Sequence, residues 1–250
     1  MWPFNKKEET PVYNPEAFQS ENWDTLTDEE KRSQLQALEN KEAEEQGRKA
    51  RTVEIDETAG EGEHGVYKSD GNGGGTIQVS KYDLDHNQYE CMDTVYHEGR
   101  HAYQDDVVHK RISHNENKET VNQWTKDDKE GYIGANEAHS QGRDFDYRFQ
   151  AQERDAYDYA REKMDGNEAI QNDPRFQEYA ANRDYNDLIN QYQGEEFYEV
   201  NGEQAVCEKT DTVVQSRCDT AEWQNRNQPQ KAEDKSETLS QSQSQDAISR

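Results

Sequence analysis

No proline interrupts the chain between Asp85 and Ser113, and that run contains Tyr96-His97-Glu98-Gly99-Arg100-His101-Ala102-Tyr103-Gln104. The pattern His-Glu-x-x-His constrains the fold because it has a chemical use only on a helix. There residues i and i+4 share a face, so His97 and His101 can point two imidazoles at one cation. Glu98 sits beside that face and can take a proton from a water. Met92, Val95, Ala102 and Tyr103 supply an apolar stripe that would anchor the helix in a core. Asp85 as N-cap, with Gln88 three residues on, predicts the helix start. The competing reading is two surface histidines on an acidic helix.

The flanking segments predict a small α+β unit. Thr27-Asp28-Glu29-Glu30 opens a helix to about Gln46, with Leu35 and Leu38 inward. Arg51 to Asp56 alternates like a strand. Gly65 to Lys68 and Thr76 to Ser80 flank Ser69-Asp70-Gly71-Asn72-Gly73-Gly74-Gly75, which predicts a hairpin with a mobile tip. The strand Thr76–Ser80 just before the metal helix is expected to be an edge strand that aligns substrate, by analogy with zinc peptidases. A short helix is expected over 117–127 around Val121 and Trp124, and one long helix over 136–164. Pro174 starts another, with Phe176, Tyr179, Leu188 and Ile189 inward. Glu196 to Val200 reads as a last strand. The expected organisation is an irregular arm plus helix over 1–48, a catalytic domain over 49–200, an extension over 201–223 and a disordered Gln/Ser-rich tail over 224–250.

Composition excludes several classes. The formal net charge is −26, so the chain repels nucleic acid and anionic membrane, and neither is an expected partner. No run of eighteen apolar residues is present, and no apolar segment follows Met1–Lys7. The expected location is the cytoplasm of the producing cell, or outside it by a route without a classical signal peptide. Cys91, Cys207 and Cys218 lack Cys-x-x-Cys spacing and are expected to be free thiols, with a Cys207–Cys218 pair the alternative if the protein is exported.

Hydrolytic zinc sites use three protein ligands and keep one position open. No His-x-x-Gly-x-x-His follows the motif, so a later carboxylate is the expected third ligand. Glu153 shares a helical face with Ala156 and Ala160, which would let its helix approach closely. Glu137 is the alternative; it lies in Asn136-Glu137-Ala138-His139-Ser140, which resembles the Asn-Glu-x-x-Ser of thermolysin-like enzymes. Tyr147, Tyr157, His139 and Arg143 are unranked candidates to stabilise an oxyanion. Asp155 is a candidate to orient a ligand imidazole.

Residues 94–104, then Trp124, Tyr132, Tyr147 and Gln150-x-x-Glu153-x-Asp155-Ala156, together resemble the zincin-like, gluzincin-type metallopeptidase domains of bacterial polymorphic toxins and secreted effectors. The resemblance spans roughly residues 50–165. It implies a small, mainly antiparallel sheet packed on the metal helix. It further implies Zn²⁺ on His97, His101 and Glu153, and Glu98 as the base of peptide hydrolysis. The implied partners are a protein or peptide substrate, and a cognate immunity protein or a secretion apparatus. The Glu-x-x-Ala portion is also similar to repressor-cleaving metalloproteases of mobile elements, in which the segment between His101 and Glu153 would be shorter. A zincin scaffold that binds partners without turnover is the alternative from a different class.

Overall fold

Thr27 accepts from the Glu30 amide, and Glu30 returns the bond to the Thr27 amide. This reciprocal cap starts helix α2 at Asp28, and the helix runs to Glu45. A 3₁₀ turn over Pro15–Phe18 and a single-turn helix α1, Ser20–Trp23, precede it. The computed structural model describes residues 11–141, 147, 148 and 150–183. The expected strand at 196–200, the inward Leu188 and Ile189, the extension and the tail lie outside the described residues.

Three strands follow: β1 Thr52–Asp56, β2 Gly65–Ser69 and β3 Gly75–Ser80. Their order in the sheet is β1-β3-β2. The short connection Ser69–Gly75 makes β2 and β3 antiparallel, with Tyr67 opposite Ile77. β3 then runs parallel to β1, with Val53 opposite Ile77. The sheet is therefore mixed, not mainly antiparallel. The arrangement also corrects the expectation that β3 is an edge. β3 carries the fully buried Ile77 and Val79, so it takes the centre, while the exposed β2 takes the edge. The hairpin tip is pinned by two arginines: Arg51 donates to the Gly73 carbonyl at 2.9 Å and Arg111 to that of Gly71 at 3.0 Å.

A short helix α3, Lys81–His86, leads into α4, Gln88–Val108. Asn87, not Asp85, caps α4: its side chain accepts from the Tyr89 and Glu90 amides. Asp85 lies too early and instead pairs with Lys81 within α3. Next come α5 Lys118–Glu130, α6 Ala135–Ser140, α7 Ala151–Asp165 and α8 Pro174–Asn182. The single helix expected over 136–164 is thus broken: α6 stops at Ser140, before the poor helix former Gly142, and α7 begins only at Ala151.

One core joins the N-terminal segment to the rest: Phe18, Trp23, Leu35 and Leu38 pack with Val53, Ile77, Met92 and Val95. Each such side chain contributes about 1.5–3 kcal/mol on burial. α7 lies along α4 through the buried Ala156 and Ala160, as their small-residue face requires. Among the described residues, no helix is long and apolar enough to cross a membrane. Cys91 is a buried free thiol.

Candidate metal centre

α4 uses its two polar faces differently. On one face Gly99 meets α2 and the loop after it. A Cβ at Gly99 would lie 2.9 Å from Arg48 Nη2 and 3.1 Å from Glu39 Oε2. These two groups form a fully buried ion pair, Nη2 to Oε2 at 2.8 Å. Glycine at this variable position of the motif is what lets the helix approach. Arg100, next in sequence, reaches Asp155 at 2.7 Å and Glu116 at 3.0 Å and lies between the rings of Tyr103, Trp124 and Tyr159.

The other face gathers the motif. His97 Nε2 and His101 Nε2 are 3.0 Å apart. Glu153, wholly buried on the first turn of α7, puts Oε2 3.3 Å from His97 Nε2 and Oε1 3.2 Å from His101 Nε2. Among the described residues, His97, His101 and Glu153 form the one cluster of histidine, cysteine and acidic groups close enough to hold a metal. One donor atom from each of the three lies within 4.8 Å of the other two, close enough for all three to bind one small divalent ion. Two buried polar atoms here have no hydrogen bond, Glu153 Oε2 and His97 Nδ1. Such orphans are uncommon, and the carboxylate oxygen is the one left for a cation.

Hydrogen bonds orient the trio. Gln104 Nε2 donates to the Gln152 carbonyl at 2.9 Å and to Asp155 at 2.7 Å. That fixes its amide, so Oε1 accepts from His101 Nδ1 at 2.8 Å and leaves Nε2 facing the cluster. Asp155 therefore touches neither imidazole of the trio; it holds the glutamine that bonds His101. Tyr132, in the loop between α5 and α6, donates to Glu153 Oε1 at 2.6 Å. Burial, opposed by the Glu153 carboxylate, would hold His101 down, but the carboxylate wins and pushes it up to about 9. Glu153 goes well below the usual range for the reciprocal reason: burial is outweighed by the His101 charge. Burial first, then the Glu153 and Glu98 charges, push the Tyr132 phenol upward.

Glu98 stands apart from the trio. Its Oε2 accepts the backbone N–H of Tyr67, in edge strand β2, at 2.7 Å. Tyr157 packs against His97 with ring centroids 4.4 Å apart, and Tyr147 meets the Tyr132 ring at 6.5 Å. Glu137 and His139 are exposed on α6, and Glu137 bonds Gln141 instead of joining the cluster. Arg143 lies outside the described residues. Gln104 and Tyr132 stand in the resembling pattern without an assigned role, and the Tyr67 amide is not singled out there. Gln104, three residues after His101 on one helical face, carried a readable signal; a strand amide carries none. A cavity of about 610 Å³ beside Arg100, Glu116 and Lys163 is not lined by any of the trio. No family model, curated protein or solved structure matches this chain.

Proposed function

We propose that this chain is a zinc-dependent endopeptidase in which His97, His101 and Glu153 hold the ion and Glu98 is the general base. The observation that carries the reading is the convergence of three donor side chains from two helices, with one buried Glu153 oxygen lacking a hydrogen bond. A buried carboxylate oxygen without a donor is costly unless a cation meets it. When bound, zinc supplies a Lewis acid that polarises a peptide carbonyl and acidifies water. Glu98 takes the proton of the attacking water and passes it to the leaving amine. The Tyr67 amide steadies the Glu98 carboxylate for that transfer. β2 offers an extended peptide an exposed edge to lie along. The toxin or effector setting, with its immunity protein or secretion apparatus, rests on the resemblance of the motif region.

Elemental analysis of purified protein tests the ion: about one zinc per chain is expected, lost in His97→Ala and His101→Ala. Metal-free wild type would end the reading. Glu98→Gln keeps its shape and a hydrogen bond to water but cannot accept a proton. It should retain zinc and lose about a thousandfold or more in kcat. A substrate can be found in a peptide library or a proteome digest. Equal cleavage by wild type and Glu98→Gln would remove the general base and leave a non-catalytic scaffold.

A further inference from the structure

We propose that Tyr132 is the oxyanion donor of this site and that Gln150 is its positioning residue. The inference rests on the metallopeptidase reading above. Tyr132 is 42% exposed, yet its hydroxyl bonds the wholly buried Glu153. The ring thus reaches from the surface inward, and its hydroxyl end lies against the trio at Glu153. With a substrate in place, the O–H turns from Glu153 Oε1 to the carbonyl oxygen, where negative charge grows as the tetrahedral carbon forms. The exchange moves one hydrogen bond and transfers no proton.

The loop is built to hold that ring still. Gln150 Oε1 accepts the Ile133 N–H at 2.7 Å and its Nε2 donates to the Ile133 carbonyl at 2.9 Å. The same Nε2 reaches the Tyr147 carbonyl at 3.1 Å. A buried side-chain amide thereby clamps the residue after Tyr132 to the start of α7, three residues before Glu153. The Gln-x-x-Glu spacing thus has a physical reason. One helix turn supplies both the clamp for the donor and the carboxylate on which the donor rests.

The test uses cobalt-loaded full-length protein and inorganic phosphate as a tetrahedral oxyanion, followed by the cobalt absorption spectrum. Tyr132→Phe should raise the phosphate Kd at saturating cobalt by about ten- to a hundredfold, the loss of one hydrogen bond to a charged group. Gln150→Glu, with Tyr132 intact, should raise it by a smaller factor. Cobalt uptake by each variant reports that it has folded. Unchanged phosphate binding in Tyr132→Phe, even with weaker cobalt binding, would show a residue that only orients Glu153 and overturn the proposal. Wild type that takes up cobalt but binds no phosphate would overturn it too, leaving the metal site intact. Wild type that takes up no cobalt overturns both readings.

Discussion

The two polar faces of α4 are both buried, and they differ in whether their charges close on one another. Against α2, Glu39 and Arg48 satisfy each other, and Glu39 also accepts the Arg51 amide at 2.7 Å. Against α7, His97, His101 and Glu153 converge and still leave two polar atoms without partners. A closed network needs nothing further and fixes how helices pack. An open one carries a desolvation cost that a ligand can recover. Gln46, which accepts from Arg48, also leaves its Nε2 without a partner, so an orphaned atom alone does not separate the faces; two imidazoles converging on an orphaned carboxylate oxygen do.

The largest effect should come from opening the closed face. Arg48→Met leaves Glu39 buried and unpaired, and should cost about 3–5 kcal/mol in urea unfolding. The double replacement of Glu39 and Arg48 by Met should recover most of that loss. If Arg48→Met costs no more than a surface charge, the face is not closed and the contrast breaks.

On the open face, the expected loss is in metal rather than in fold. Glu153→Ala should weaken zinc by about a hundredfold or more in a chelator competition, roughly one ligand's share of the binding free energy. Glu137→Ala, exposed on α6, should leave it unchanged. The reverse order would transfer the third ligand to Glu137.

Gln104→Leu sharpens the same comparison at smaller size. It removes the acceptor of His101 Nδ1 while keeping volume, and should weaken zinc by about ten- to a hundredfold. A variant with wild-type affinity would show that packing alone orients His101.

The smallest effect belongs to neither face. His64 Nδ1 lies 2.9 Å from Asp83. That hydrogen bond, against burial, raises the His64 pKa. Its stabilisation is complete below the unfolded pKa of about 6.5 and is lost as pH rises through the raised folded value. In urea midpoints, wild type should exceed His64→Gln near pH 5.5, and the gap should close near pH 8.5. A gap that widens with pH would reverse the sign and exclude this pair as its source.

Local spacing alone determined the helix that carries His97 and His101, the reciprocal cap at Thr27 and Glu30, and the hairpin around the Gly-rich tip. These depend on residues within about four positions of one another, and periodicity and capping chemistry report them directly. The small face of Ala156 and Ala160 also marked Glu153 as a residue whose helix could come close. Tertiary structure decided the rest. Which acid lies beside the two imidazoles, Glu153 and not Glu137, depends on where α6 ends and α7 begins. The central position of β3 depends on which strand carries the fully buried Ile77 and Val79. The partners of the site are set by contacts between distant segments: Tyr67 N–H on Glu98, Tyr132 on Glu153, and Asp155 acting through Gln104. A hydrogen bond between residues twenty to fifty positions apart leaves no period in the sequence, because each partner is an ordinary polar residue until the fold brings them together.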